Sequence, residues 1–331
     1  MAEWLYEEGI GETRAALVED GAIVEAAIAL PGGLAPGLIA QARLMKLLAP
    51  KRRAIVRMDD EEALLEPVPP GASEGARLLV EIVREALPEP GRPKRARARP
   101  APADAMSRPA PPLREKLEAS GLPLAPLGPA DPDRLEQAGW SELIEEAASG
   151  HVGFAGGSLT ISLTPAMVLI DVDGTLEPAA LAIAGAGAAA RTIRRLALAG
   201  AIGIDLPTLA SKADRHAAAA AIDAHLPLPF ERTGVNGFGF VQIVRRRTGA
   251  SIPELIRADP AGAAARAALR RAERTSGHGP RTIFCAPDVA KRLAAREEWL
   301  EKAARRLAAP LLLRPEEGRA IWAFDVQPER P

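Results

Sequence analysis

Between residues 13 and 30, two short apolar runs flank Glu19-Asp20-Gly21, a pattern that predicts a β-hairpin. Residues 38–90 continue in short β-like pieces, 53–58, 63–68 and 76–85, with Pro and Gly between them at the spacing of a small barrel. From residue 155 strands alternate with helices. Residues 158–163 and 167–170 read as strands, 176–199 as a helix stopped by Gly200, 201–204 as a strand, 211–225 as a helix and 239–246 as a strand. An Arg/Ala-rich helix over 253–274 leads to a tail that reads strand 282–285, helix 287–307, strand 310–314 and strand 321–326. Such alternation predicts a mostly parallel sheet with crossover helices. The expected fold class is α/β, α+β overall, with five segments: an N-terminal hairpin (1–34), a small barrel (35–100), a Pro-rich linker and helix (101–150), a central mixed sheet (151–250) and a small C-terminal α/β unit (251–331).

Residues 88–132 hold 12 of the 31 prolines, and proline denies helix interiors and central strands an amide hydrogen bond, so this stretch reads as linker or extended arm. Inside it, Gly91-Arg-Pro-Lys-Arg-Ala-Arg-Ala-Arg-Pro100 carries five basic residues and no acid. It is either a solvated loop or a phosphate-contacting arm. On an extended chain, Arg95, Arg97 and Arg99 would point to one side.

Composition narrows the classes. A chain of 331 residues with 47% apolar and 26% charged residues has enough material for two or three folded domains and does not suit wholesale disorder or a coiled coil. With 42 Lys and Arg against 43 Asp and Glu, the molecule has no overall basic field, so any nucleic-acid site must be local. The single cysteine, Cys285, excludes an internal disulfide framework and C-x-x-C zinc sites, and its position predicts a core residue on a strand. The start of the chain lacks a secretion signal and no long uncharged apolar run follows, so the expectation is a cytoplasmic protein with no membrane segment. The four histidines, His216 and His225 nine apart among them, show no metal-ligand spacing.

Two predicted strands end in aspartate, Val168-Leu-Ile-Asp171 and Ile202-Gly-Ile-Asp205. In a right-handed β-α-β unit they would lie parallel, about 4.8 Å apart if adjacent, with both carboxylates at one edge. Close carboxylates repel unless a proton or cation sits between them, and Mg²⁺, a hard ion taking one or two carboxylates plus water and phosphate oxygens, suits such a pair. Asp205 equally suits a cap of the following turn. Leu169-Ile-Asp-Val-Asp-Gly-Thr-Leu176 also resembles the first motif of the haloacid-dehalogenase-type phosphatases, which implies Asp171 as nucleophile and Asp173 as general acid/base. No Asp-Asp pair follows downstream to complete that family's metal shell.

Over a longer stretch, Gly156-Gly-Ser-Leu-Thr-Ile-Ser-Leu-Thr-Pro-Ala-Met-Val-Leu-Ile-Asp-Val-Asp-Gly174, then Ile193 to Asp205, then Asn236-Gly-Phe-Gly-Phe-Val-Gln-Ile-Val-Arg-Arg-Arg247, the chain resembles the catalytic core of the ribonuclease E/G family. The hairpin from Glu12 to Glu25, residues 75–99 and the tail from Thr282 resemble that family's first hairpin, the end of its OB-type RNA-binding barrel and its small C-terminal domain. The resemblance implies a ribonuclease H-like and deoxyribonuclease I-like architecture. It also implies endonuclease activity on single-stranded RNA, with Asp171 and Asp205 holding a catalytic Mg²⁺. Candidate RNA contacts are Arg95, Arg97, Arg99, Arg194, Arg195, Lys212, Arg245 and Arg247; a solvated strand end is the other reading of the last two, and an opposed helix dipole that of Arg194 and Arg195. Asp173 stands where the family has Asn, adding a third charge to the candidate metal site. No zinc, no zinc-linked tetramer and no 5′-end sensor are expected, and a homodimer fits. With no Phe, Tyr or Trp between residues 7 and 139, the barrel lacks aromatics for base stacking. A non-catalytic RNA-binding protein of the same fold is the alternative.

Overall fold

The structure, a computed structural model, describes residues 1–328 apart from 51, 90, 92 and 278; Arg92 of the basic segment and His278 thus lie outside the described residues. The chain divides into two units. One holds Met1–Pro31, Ser120–Ala148 and the chain from Asp259 onward, the other Gly32–Ala119 and Ser149–Ala258.

The first unit opens with strands β1 (Glu3–Glu8), β2 (Thr13–Glu19) and β3 (Ala22–Ala29). The β2–β3 hairpin turns on Asp20 and Gly21, both at positive φ (50° and 81°), the requirement of a two-residue turn that matches strand twist.

The second unit begins with the barrel: β4 (Ile39–Leu48), β5 (Arg53–Met58), β6 (Glu61–Leu65), β7 (Arg77–Arg84) and β8 (Ala96–Pro100) close in the order β4-β5-β6-β8-β7. Only the β6–β8 pair is parallel. Inward positions alternate small and large, Ala42 and Leu44, Ala54 and Val56, Ala63 and Leu65, with Ala96 and Ala98 facing them, and fill the interior of this OB-type barrel. The end of the expected barrel segment, which its prolines also let read as linker or arm, is the fifth barrel strand: Pro100 ends it, and Ala96 to Arg99 keep their amides. A short helix α1 (Leu113–Glu118) follows.

The chain then returns to the first unit. Strand β9 (Leu124–Leu127) pairs parallel with β1, giving a sheet β3-β2-β1-β9. Helix α2 (Arg134–Gln137), capped by Asp133, and helix α3 (Trp140–Ser149) bury Leu135, Trp140 and Leu143.

The second unit resumes with β10 (His151–Phe154), β11 (Gly157–Leu163), β12 (Val168–Gly174), helix α4 (Pro178–Arg195), β13 (Gly200–Asp205), helix α5 (Lys212–His225), β14 (Glu231–Arg232), β15 (Phe240–Arg245) and helix α6 (Ile252–Ala258). The six strands order as β10-β11-β12-β13-β15-β14. The expectation of a mostly parallel sheet is corrected here: β12–β13, the pair joined by the α4 crossover, is the parallel one, and the others are antiparallel because short turns join them or the return runs the other way. Helix α4 is shorter than expected. Pro178 starts it, and Ala197 at φ 54° ends it, with Leu198 N–H reaching back to Ile193 O at 2.9 Å.

The last part belongs to the first unit: α7 (Pro260–Arg274), β16 (Arg281–Cys285), α8 (Pro287–Ala294), α9 (Glu297–Leu307), β17 (Leu311–Pro315) and β18 (Asp325–Pro328), with the sheet β17-β16-β18. The single helix expected over 253–274 breaks at Asp259-Pro260, where proline cannot continue a helix and Asp259 instead caps α7 through Gly262 N–H at 3.0 Å. The helix expected over 287–307 breaks at Ala295-Arg296, and Trp299 just beyond packs on the core of this unit. Of the strand expected over 321–326 only its end survives, since Ile321 and Phe324 pack against that core from a turn. Cys285 is fully buried on β16, and burial pushes its thiol pKa up.

Arginines at helical spacing clasp this unit. Arg266, Arg270 and Arg274 stand at i, i+4 and i+8 along one stripe of α7. Arg266 Nε donates to Glu12 Oε2 at 2.7 Å, Arg270 to Glu12 Oε1, and Arg274 to both oxygens of Glu7 at 3.0 and 3.1 Å. Arg14, directly opposite Glu7 in the β1–β2 pairing, donates to it at 2.7 Å and lies 5.0 Å over the Trp140 ring. Burial, then Arg270, lowers the pKa of Arg14 against the raising effect of Glu7 and Asp133.

Candidate active site

Alternation along β12 sends Val168, Ile170 and Val172 to the buried face, against α4, and Leu169, Asp171 and Asp173 to the open one. On β13, Ile202 and Ile204 are buried and Asp205 is exposed. Asp171 and Asp205 are register partners in the parallel pair, so both carboxylates stand side by side on the open face. The register continues outward as one row across five strands: His151 opposite Thr160, Thr160 opposite Asp171, Asp205 opposite Phe240. Asp173, opposite Ser158, lies one pleat along from Asp171.

The electrostatics of the row follow from its placement. Burial first, then the charges of Asp173 and Asp205, push the pKa of Asp171 up, opposed by the Val172 backbone N–H. Among the described residues none of the three carboxylates lies in an ion pair, so nothing there relieves the mutual repulsion. The alternative of Asp205 as a cap of the following turn is not met, since among the described residues its side chain accepts no hydrogen bond; helix α5 is capped by Ser211, whose Oγ accepts from Ala213 and Asp214 N–H at 3.1 and 3.4 Å. Two adjacent carboxylates, hard oxygen donors on an open face, suit Mg²⁺, which keeps waters and substrate oxygens in its shell. Among the described residues no group of three or more His, Cys, Asp or Glu is placed to hold a metal ion.

A raised carboxyl pKa has a sign for stability. The folded form then binds more protons than the unfolded one, so stability is lost as pH rises through the range from the ordinary aspartate value to the raised one. Asp173→Asn removes one of the repelling charges and is expected to raise Tm in EDTA at neutral pH. Below about pH 3, where aspartates are mostly protonated, the gain should vanish. A gain of equal size at both pH values, seen by scanning calorimetry, would contradict the repulsion.

The candidate RNA contacts fall in three places. Arg95, Arg97 and Arg99 flank or lie on the outer side of β8, where each pairs with a barrel glutamate: Glu62 at 3.0 Å, Glu66 at 2.8 Å and Glu81 at 2.9 Å. Exposed pairs of this kind contribute little to stability, which leaves the guanidinia exchangeable for phosphate. Arg53, Arg84, Lys94, Arg95, Arg97 and Arg257 line a groove of about 1420 Å³ between the barrel, the turn at Leu163–Pro165 and α6, with Glu66, Glu89 and Glu254 as its acids. Lys212 heads α5 on the chain leaving the carboxyl end of β13 and is exposed.

Arg194, Arg195, Arg245 and Arg247 are not brought to the carboxylates. They gather near Gly200, at the far end of β13, about 17 Å from Asp205 at roughly 3.3 Å per residue. Arg245 donates to the carbonyls of Ile193 and Leu198 at 3.5 and 3.1 Å, satisfying the C-terminus of α4, and Arg247 pairs with Glu254. Both are half-buried and serve the fold.

His151 and Thr160, which the sequence reading passed over, are in the row; Thr160 Oγ1 lies 3.4 Å from His151 Nδ1. The signal for them was the tight turn at Ala155-Gly156, which fixes Phe154 opposite Gly157 and hence His151 opposite Thr160. Compared with protein-family models and with curated proteins, the chain matches none of them.

Proposed function

We propose that this protein is an endonuclease of single-stranded RNA in which Asp171 and Asp205 hold a catalytic Mg²⁺. The observation that carries this reading is the in-register pairing of the two carboxylates on the face of the sheet that α4 leaves open. Bound there, Mg²⁺ supplies Lewis acidity for a phosphodiester and lowers the pKa of water. Asp171 and Asp205 would hold the ion, and Asp173 would add negative charge beside it. The OB-type barrel in the same unit offers arginines to a strand's phosphates, with the groove at Arg53, Arg84 and Arg97 as its path. The resemblance of residues 155–247 to the ribonuclease E/G core points to the same pair. A reducing, cytoplasmic setting suits the single buried thiol, and among the described residues no helix is long and apolar enough to cross a membrane. The phosphatase reading gains less support, because Asp173 stays in β12, paired with Ser158, and among the described residues no third carboxylate completes a metal site there.

The test is cleavage of a 5′-fluorescent A/U-rich single-stranded RNA in Mg²⁺ and in EDTA, beside the same strand in a duplex. Cutting of the single strand in Mg²⁺ alone is expected. Binding without cutting would instead mark a non-catalytic RNA-binding protein on this fold.

A further inference from the structure

An OB-type barrel that binds single strands ordinarily stacks bases on aromatic side chains, and this one has none to offer, since no Phe, Tyr or Trp occurs between residues 7 and 139. An aromatic stands beside the carboxylates instead, with a second two residues before it. Phe240, opposite Asp205, lays its ring over Gly203: a Cβ at Gly203 would sit 2.5 Å from Phe240 Cζ and 3.0 Å from Leu169 Cδ2. Phe238, two residues earlier, is 82% exposed. An exposed phenylalanine of this degree is costly to leave in water, and this one is held there by its backbone. Asn236 Oδ1 accepts from Phe238 N–H at 2.9 Å and from Phe240 N–H at 3.0 Å, and Asn236 N–H donates to Phe240 O at 3.0 Å. Gly239 takes φ +90° with its Cα face against Leu206 O, where a Cβ would come within 2.2 Å, which ties the turn to the residue following Asp205.

We infer that Phe238 and Phe240 form the stacking seat for the nucleobase next to the phosphate that Asp171 and Asp205 address; this rests on the nuclease reading above. The occupant follows from the neighbours. Carboxylates that call for a cation bring a phosphate to one side of β13, and a flat apolar surface within one strand spacing of them suits the base attached to that phosphodiester. A base reaches such a seat only when unpaired and unstacked, so the seat selects single strands, and because every base has a π-face it selects them with little regard to sequence.

The experiment pairs a protein change with a substrate change. Wild type, Phe238→Ala and Phe238→Trp are assayed in Mg²⁺ on a single-stranded RNA and on versions carrying one abasic residue at each position around the cut. Phe238→Ala is expected to lower kcat/KM about tenfold, mostly through KM, at the low end of base–aromatic stacking. Phe238→Trp, which restores a flat ring, is expected to recover most of the rate that Phe238→Ala loses. One abasic position should lower wild-type kcat/KM about tenfold and that of Phe238→Ala less than about twofold, because the same contact is already gone. Equal abasic losses in both proteins, or wild-type kinetics for Phe238→Ala, would overturn the seat while leaving wild-type cleavage intact. Conversion of a dimer to a monomer by Phe238→Ala, with no abasic effect, would overturn it in favour of contact between two copies. A wild type that neither binds nor cuts RNA would remove the nuclease reading itself.

Discussion

Asp171→Asn and Asp205→Asn are each expected to lower Mg²⁺-dependent cleavage about 10³-fold, the scale of losing several kcal/mol of metal-assisted stabilisation. Binding of the uncut strand in Ca²⁺ should change less than about threefold, because the arginines proposed to hold phosphate line the barrel and its groove. Both variants should fold. The carboxylates are exposed and among the described residues unpaired, and for Asp171 the substitution relieves the burial and repulsion that raise its pKa. Asparagine keeps the shape and one oxygen while removing the charge, so the comparison isolates charge from packing. Asp173→Asn is the internal control, expected to retain cleavage within about tenfold, since Asp173 is not in the register pair. Rates for all three, with melting curves, check the assignment; full activity in either of the first two would remove it.

The largest effect on stability is expected at Glu12. Its two oxygens are held separately by Arg266 and Arg270, and all three side chains are at least nine-tenths buried. Glu12→Gln leaves two arginines facing one neutral amide in a place water does not reach. Breaking a buried pair from one side costs about 3–5 kcal/mol, far more than the pair itself contributes relative to an apolar replacement. The matched surface change, Glu66→Gln opposite Arg97, is expected to cost under about 1 kcal/mol, because both partners stay close to half exposed. Urea unfolding of the two variants measures the contrast. Equal midpoints would show that the α7 clasp is not what ties the first unit together.

How much of this was legible in the sequence differs by element. The β2–β3 hairpin was, because Asp20-Gly21 names its turn, and so were the strands carrying Asp171 and Asp205, because hydrophobic runs ending in an acid after a crossover helix bring two strand ends to one edge. Their exact register was not, since a slip of one residue leaves the same composition and sends a carboxylate to the other face. The basic segment was read two ways, by its prolines as an arm and by the resemblance as the end of the barrel; the structure spends Ala96–Pro100 on closing the barrel, through pairing with β6 and β7. Arg245 and Arg247 read as phosphate contacts through the resemblance. The carbonyl end of α4 and Glu254 claim them first. The arginine stripe of α7 was visible as an Arg/Ala-rich helix, but its purpose depends on Glu7 and Glu12, more than 250 residues away in the chain. Local chemistry is written locally. Satisfied charges at long separation are not.

Mn²⁺ binding followed by electron paramagnetic resonance tests, without reference to turnover, whether the two in-register carboxylates hold a divalent cation. A bound ion is expected in the wild type, lost in Asp171→Asn and in Asp205→Asn and kept in Asp173→Asn. Binding that is absent from the wild type, or unchanged in the first two variants, would contradict that assignment.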